Sequence, residues 1–276
     1  MTRVVLRRPG GVFGLAVLGL LVVGGVVSYW WTPFDPRAAD PARAWLPPLR
    51  EGHLLGTDRI GRDQFSQLLA GAGGTLVAAV ASAAVAAVVG VALALAAVLA
   101  PRPLRASAVG LIDVLVAFPT LLLAMVLSAV YGSSLATVVA AIGIGFGVGV
   151  ARVTRAELLS VLGSDYVLAA RASGARTGRI VRRHLLPNVA PTLVVQLSLV
   201  MALAVLAEAA LTYLGYGASP SSPSWGGMLH EQQAHLAARP LLVIWPGVAV
   251  AVTVLGCNLL GDALRDAGDP RAVAAR

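Results

Sequence analysis

The sequence predicts an all-α polytopic membrane protein with six transmembrane helices, and three observations predict it. The chain has 276 residues, of which 58% are hydrophobic and only 12% charged, about half the charge of a soluble domain. Its mean hydropathy is +0.82, and its apolar residues fall in runs of about 20, the length of helix that crosses a bilayer. The third observation is an uneven distribution of arginine. All 21 basic residues are Arg, none is Lys, and the net charge is +8. In a soluble chain that excess suggests nucleic acid; here the accumulation of cations on the inner side of a membrane explains it.

The first apolar run, about 11–31, follows Arg3, Arg7 and Arg8 and ends in Tyr29, Trp30 and Trp31. It is longer than a signal-peptide core and closes on an interfacial aromatic anchor, so it reads as an uncleaved span with its N-terminus inside. Residues 32–73 are polar, with Pro33, Pro36, Pro41, Pro47 and Pro48 opposing regular structure. Their later part predicts an amphipathic helix from about Gly61 along the outer surface, with Phe65, Leu68 and Leu69 on one side. Asp58 and Asp63 are expected to cap and to pair with Arg59 and Arg62; a metal site is the weaker alternative.

The second span is expected at 74–100, almost wholly Ala, Val, Leu and Gly. A short turn with Arg102 and Arg105 leads to a third at 106–130, kinked at Pro119. A fourth, 135–150, carries Gly143, Gly145, Gly147 and Gly149, small residues that let helices approach closely in lipid. A fifth is expected at 190–214 and a sixth at 240–260, separated by a loop and followed by a short tail. With six spans and both termini inside, fifteen Arg and five acids face the cytoplasm, against six Arg and six acids outside. That asymmetry supports the topology.

The stretch 165–188 is the one long cationic interruption with helical logic of its own. Ser164 can cap a helix whose positive end suits Asp165. Tyr166, Ala169, Ala170 and Ser173 recur at helical spacing and form a narrow stripe of mostly small residues. Gly174 can end that helix in a left-handed C′ position. Thr177 is expected to cap a second short helix that Pro187 stops. A helix-turn-helix with a shallow face, emerging from a membrane, suits docking into a groove on a soluble partner. Arg182 and Arg183 can meet anionic lipid or acids of that partner.

Ala169-Ala170, three residues, Gly174, nine residues, then His184-Leu185-Leu186-Pro187 resembles the EAA loop of ABC importer permeases. Leu168 stands where that family has its name-giving Glu, and His184 where Ile is usual. Leu55-Gly56-Thr57-Asp58 followed by Gly61-Arg62-Asp63, and later Ala207-Glu208-Ala209-Ala210-Leu211-Thr212-Tyr213-Leu214-Gly215, resemble the second permease subunit of dipeptide, oligopeptide and nickel importers. One departure is Gly73, where the family often has an Arg. The resemblance implies a type I ABC importer permease fold, with an N-terminal helix and extracytoplasmic segment (1–73), a permease core (74–265, its EAA loop about 153–190) and a cytoplasmic tail (266–276). It implies a bacterial inner-membrane location and ATPase coupling through Tyr166, Ala169, Ala170, Arg171, Gly174, Leu186 and Pro187. Its partners would be a second permease, two ATPase subunits that bind ATP and Mg, and an external solute-binding protein.

Chemistry within this chain is sparse. Without Lys it has no Walker A motif, and no cofactor of its own or catalytic set is expected. Cys257, the only cysteine, excludes an internal disulfide; His230 and His235 do not share a helix face well enough for metal. Two acids fall within spans and are candidates for the translocation pathway by that fact alone. Asp113 lies near the cytoplasmic start of its span and can snorkel. Glu208, about 25 Å beyond Pro191 along a helix, either faces a cavity that attracts a cation or an amino group, or hydrogen-bonds a loop near Tyr213. An ATP-independent secondary transporter or channel is the alternative, and would call for inverted repeats and more ionisable groups at mid-membrane.

Overall fold

The computed structural model describes residues 6, 8–217 and 222–268. Among these there is no strand, only two isolated bridge pairs in the outer segment. Among the described residues five helices are long and apolar enough to cross a membrane, and six if a pair bent by 91° counts as one span.

Helix α1, Pro9–Val27, starts on a proline in its first turn, where a missing N–H is harmless. Helix α2, Gln64–Leu99, is capped by Asp63, which accepts from the Ser66 N–H at 2.7 Å. Its 36 residues make a rod about 54 Å long, so the surface helix and second span expected separately are one helix. The boundary expected at residue 73 falls inside it. Glycines do not break it there because tertiary contact holds them: Cβ atoms built at Gly71 and Gly25 would meet Trp225 and Gly73 at 2.8 and 3.0 Å.

Helices α3, Arg102–Val116, and α4, Thr120–Tyr131, meet at 91°. The kink expected at Pro119 is thus a full break. Proline denies the helix a donor and pushes the preceding residue toward extended conformation. Helix α5, Leu135–Leu162, runs twelve residues past the expected span end, because Arg152, Arg155 and Glu157 terminate the membrane, not the helix. After α6, Asp165–Ala172, helix α7 runs from Thr177 to Tyr213 with a π turn at Val181–Leu185. Pro187 was expected to stop a short helix and does not. It lies in the first turn after the π turn, where the hydrogen-bond register has already shifted and its missing donor matters least. Two elements complete the chain: α8, Trp225–Gln232, capped by Ser224 within the expected loop, and α9, Pro240–Gly268.

Helix α2 packs along α5 as the most extensive pair. Both helices carry wholly buried small residues, among them Ala78, Ala86, Ala141 and Ala151. A Cβ at Gly143 would lie 2.5 Å from the Val85 Cβ, and one at Gly90 2.7 Å from Val150. Close backbone approach replaces the hydrophobic drive that lipid removes. Helix α1 crosses α9 where a Cβ at Gly14 would reach the Gly256 carbonyl at 2.6 Å. Arg8 pairs with Asp266, so the start of α1 and the end of α9 lie at one end of the bundle.

Candidate functional site

Helix α6 stands between the ends of α5 and α7 and is fastened by one residue. Val167 is fully buried in a cluster with Leu158 of α5, Ile180, Leu185 and Val189 of α7, and Ala94 and Val98 of α2. Burying such a side chain contributes roughly 1.5 kcal/mol. Sequence reading passed over Val167, although it is the one β-branched residue of α6. Three stripe residues, Tyr166, Ala169 and Ser173, are exposed, while Ala170 is half-buried. Arg171 is exposed, as is Leu168, and the Tyr166 ring lies 6.0 Å from that of His184. That contact sets α6 beside the π turn, whose Leu186 and Pro187 follow directly, half-buried and exposed.

The C-terminus of α6 closes as its sequence predicts. Gly174 has φ +79°, a conformation that costs an L-residue roughly 1–2 kcal/mol. Its N–H donates to the Arg171 carbonyl at 2.9 Å, and the Ala175 N–H to that of Ala170 at 3.0 Å. The two bonds are the 5→2 and 6→1 bonds of a Schellman cap. The N-terminus differs from expectation. The Ser164 hydroxyl donates back to the Val161 carbonyl at 2.6 Å and caps nothing in α6. Thr177 begins α7, and the cap position ahead of it is Arg176. Arg179, Arg182 and Arg183 are exposed around a recess of about 560 Å³.

At the other end of the bundle, the segment between α1 and α2 is ordered by polar contacts more than by secondary structure. Asp58 is fully buried. It accepts from the backbone N–H groups of Ile60 and Arg62, both at 2.9 Å, and from Arg62 Nε at 2.6 Å. Arg62 also pairs with Glu231 of α8. Burial alone lowers the guanidinium pKa, but the charges and hydrogen bonds of Asp58 and Glu231 outweigh it and move it upward. Asp63 caps α2 and meets His53 Nδ1 at 2.8 Å, both side chains almost fully buried. Capping and Arg–Asp pairing thus account for both aspartates, with Arg62 and not Arg59 as the partner. A Cβ at Gly61, with φ +84°, would strike the Asp40 carbonyl at 1.9 Å, so only glycine fits this turn.

The two acids within spans are placed differently. Asp113 is exposed on α3. Glu208 is buried near the C-terminal end of α7 and its Oε1 accepts from the Thr212 hydroxyl at 2.9 Å, one turn along its own helix. The loop contact near Tyr213 is made instead by His230 Nδ1, at 2.7 Å from the Tyr213 carbonyl. The second Glu208 oxygen has no partner among the described residues. Glu208 lines a cavity of about 630 Å³ between the C-terminal ends of α1 and α7, the first turns of α2 and the start of α5. Sequence reading also missed Gln196, a lone amide in the apolar run of α7. It lines a cavity of about 290 Å³ under the α3–α4 bend, with Phe118, Thr120 and Gly145.

Comparison with known proteins places these features in context. The family model for the binding-protein-dependent transport system inner membrane component matches residues 86–273. The di/tripeptide transport system permease protein DppC of Pseudomonas aeruginosa is 36% identical over 270 residues, covering 96% of this chain and 89% of that protein. The nickel transport system permease protein NikC of Escherichia coli K12 is 34% identical over 260 residues, 94% and 93% of the two chains. The glutathione transport system permease protein GsiD of Pectobacterium atrosepticum is 38% identical over 262 residues, 94% and 85%. Among solved structures, a chain of the MetNI methionine ABC transporter in an inward-facing crystal form superposes with a TM-score of 0.61 at 20% identity. The match covers 73% of this chain and 95% of that one, a likeness of fold.

Proposed function

From the premise that this chain belongs to the binding-protein-dependent transport system inner membrane component family, as a multi-pass permease of an ABC importer of the peptide and nickel type, we propose that it carries di- or oligopeptides inward, driven by ATP hydrolysis in partner chains. The observation that carries the coupling part is the geometry of α6. A short helix, pinned by Val167 and closed by a Schellman cap, presents Tyr166, Ala169 and Arg171 outward between α5 and α7. A groove on an ATPase can accept that face, and motion of α6 reaches α5 and α7 through the packed cluster around Val167. Closure of the ATPases then tilts α5 and α7 as rigid units and alternates access to the cavities, a shear-type transition.

In this reading the chain binds no cofactor, and ATP and Mg reside in two partner ATPase subunits. A second permease subunit of different sequence covers the exposed apolar faces, and an extracytoplasmic binding protein delivers solute to the end that holds Asp58 and Arg62. The organisation keeps an N-terminal helix and outer segment, a permease core and a tail, in a bacterial inner membrane with both termini cytoplasmic. Asp113 and Glu208 are its candidate pathway acids. Peptide is preferred as the solute because the DppC relative is named for di- and tripeptides; nickel and glutathione are the competing outcomes.

The experiment is co-expression with candidate ATPase and permease chains, purification in mild detergent, and uptake into proteoliposomes with and without ATP. ATP-dependent peptide uptake, lost together with ATPase co-purification in Gly174→Val, supports the proposal. Uptake by this chain alone without ATP overturns it in favour of a secondary transporter.

A further inference from the structure

Glu208 is the one carboxylate buried within the spans among the described residues. Its position is unusual for a purely structural acid. One oxygen takes the Thr212 hydroxyl and the other takes nothing among the described residues. No salt bridge reaches it, although Asp35 and Arg37 line the same cavity; Asp35 instead accepts from the Arg37 backbone N–H at 2.9 Å. A carboxylate removed from water with an open lone pair is poorly compensated, and a cation entering the cavity compensates it. Tyr29 and Ser133 line the same cavity and carry hydroxyl groups able to accept hydrogen bonds from that cation, whereas the Ser134 hydroxyl, also in the lining, accepts from the Thr137 N–H as the cap of α5.

Resting on the permease reading above, we infer that Glu208 receives the protonated primary amino group of a solute as it enters the outer cavity. The chemistry selects an ammonium over a metal ion. Hard divalent cations require six or more oxygen ligands or an octahedral shell rich in carboxylate and water. No group of three His, Cys, Asp or Glu is assembled among the described residues. An ammonium offers three donors, which one carboxylate oxygen and two neutral acceptors satisfy, and Glu208, Tyr29 and Ser133 supply groups of these kinds to one cavity lining. The cavity, about 630 Å³, falls within the range that holds small organic ligands.

The test uses the complete reconstituted transporter with its binding protein, and compares uptake of a free-amine dipeptide with that of the same dipeptide N-acetylated. The binding protein contributes its own preference equally to every variant, so a change in the ratio reports Glu208. Glu208→Gln is expected to lower free-amine uptake at least about tenfold, the scale for losing one partner of a buried charge contact, while leaving N-acetyl uptake within about twofold. Glu208→Asp, which keeps the charge, is expected to retain the free-amine preference. An unchanged ratio in Glu208→Gln overturns the assignment, as does an equal fall for both peptides. If Glu208→Gln does not assemble, loss of preference in Glu208→Asp overturns it. A wild-type complex that imports neither peptide sinks the peptide reading and this inference together, whereas intact import with an unchanged ratio sinks this inference alone.

Discussion

The backbone N–H of Ala175 donates to the carbonyl of Ala170 at 3.0 Å, across Gly174 at φ +79°. A Cβ at Gly174 meets no atom within 4 Å, so any penalty for replacing it comes from the backbone and not from a clash. Gly174→Asn is therefore tolerated, since Asn adopts the left-handed region most readily after Gly. Gly174→Val is expected to lose roughly 1–2 kcal/mol at this turn and to reorient α6. ATPase co-purification should fall at least about tenfold in Val and little in Asn. Equal behaviour of the two variants would sink the docking role of α6.

Val167 tests the same helix from its buried side. Val167→Ala removes two methyl groups from the cluster with Leu158 and Leu185 without touching the exposed face. The expected loss is about 1–2 kcal/mol, read as a lower melting temperature of the purified complex. ATPase co-purification should persist, since the partner surface is unchanged. Lost co-purification at unchanged stability would show that Val167 and not the exposed stripe makes the contact.

Arg62 fastens the segment between α1 and α2, and its removal takes from a fully buried Asp58 its charged partner. Breaking such a pair costs roughly 3–5 kcal/mol. The lower end, about 3 kcal/mol, is expected for Arg62→Gln because two backbone N–H groups and Gln67 still serve Asp58. The pH dependence follows from the raised guanidinium pKa. A raised pKa means the contribution is complete below the ordinary guanidinium value and disappears only as the pH rises through the folded one. The stability gap between wild type and Arg62→Gln should therefore stay flat from about pH 6 to 10. A gap that closes within that window would assign the effect to another group.

Much of this was legible because the signals are local. Gly174 and Asp63 declare a helix end and a helix start by side-chain type alone, and both are where their chemistry placed them. What escaped was tertiary. The fusion of the amphipathic segment with the second span depends on Trp225 and Gly25 packing against glycines that otherwise suggest a break. Passage of α7 through Pro187 depends on a π turn that leaves no mark in residue types. At the site, the exposed stripe of α6 was readable from spacing, whereas Val167 acquires meaning only from Leu158 and Leu185, which arrive from other helices.

The glycines of α5 carry that contrast to a decisive test. Gly143, Gly145, Gly147 and Gly149 are indistinguishable by spacing, yet they meet different surroundings. A Cβ at Gly143 would lie 2.5 Å from the Val85 Cβ and 3.0 Å from the Ser82 carbonyl, whereas one at Gly149 meets nothing within 4 Å. Overpacking a fitted interface costs roughly 1–3 kcal/mol, and the Ser82 backbone cannot move aside as a flexible side chain can. Gly143→Leu should therefore separate α2 from α5 and abolish recovery of a monodisperse chain in detergent, while Gly149→Leu should purify as wild type. If Gly149→Leu purifies yet fails to join its partner permease, the face around Gly149 is covered by that partner. Equal tolerance at both positions would mean that α2 and α5 do not approach as closely as their glycines allow.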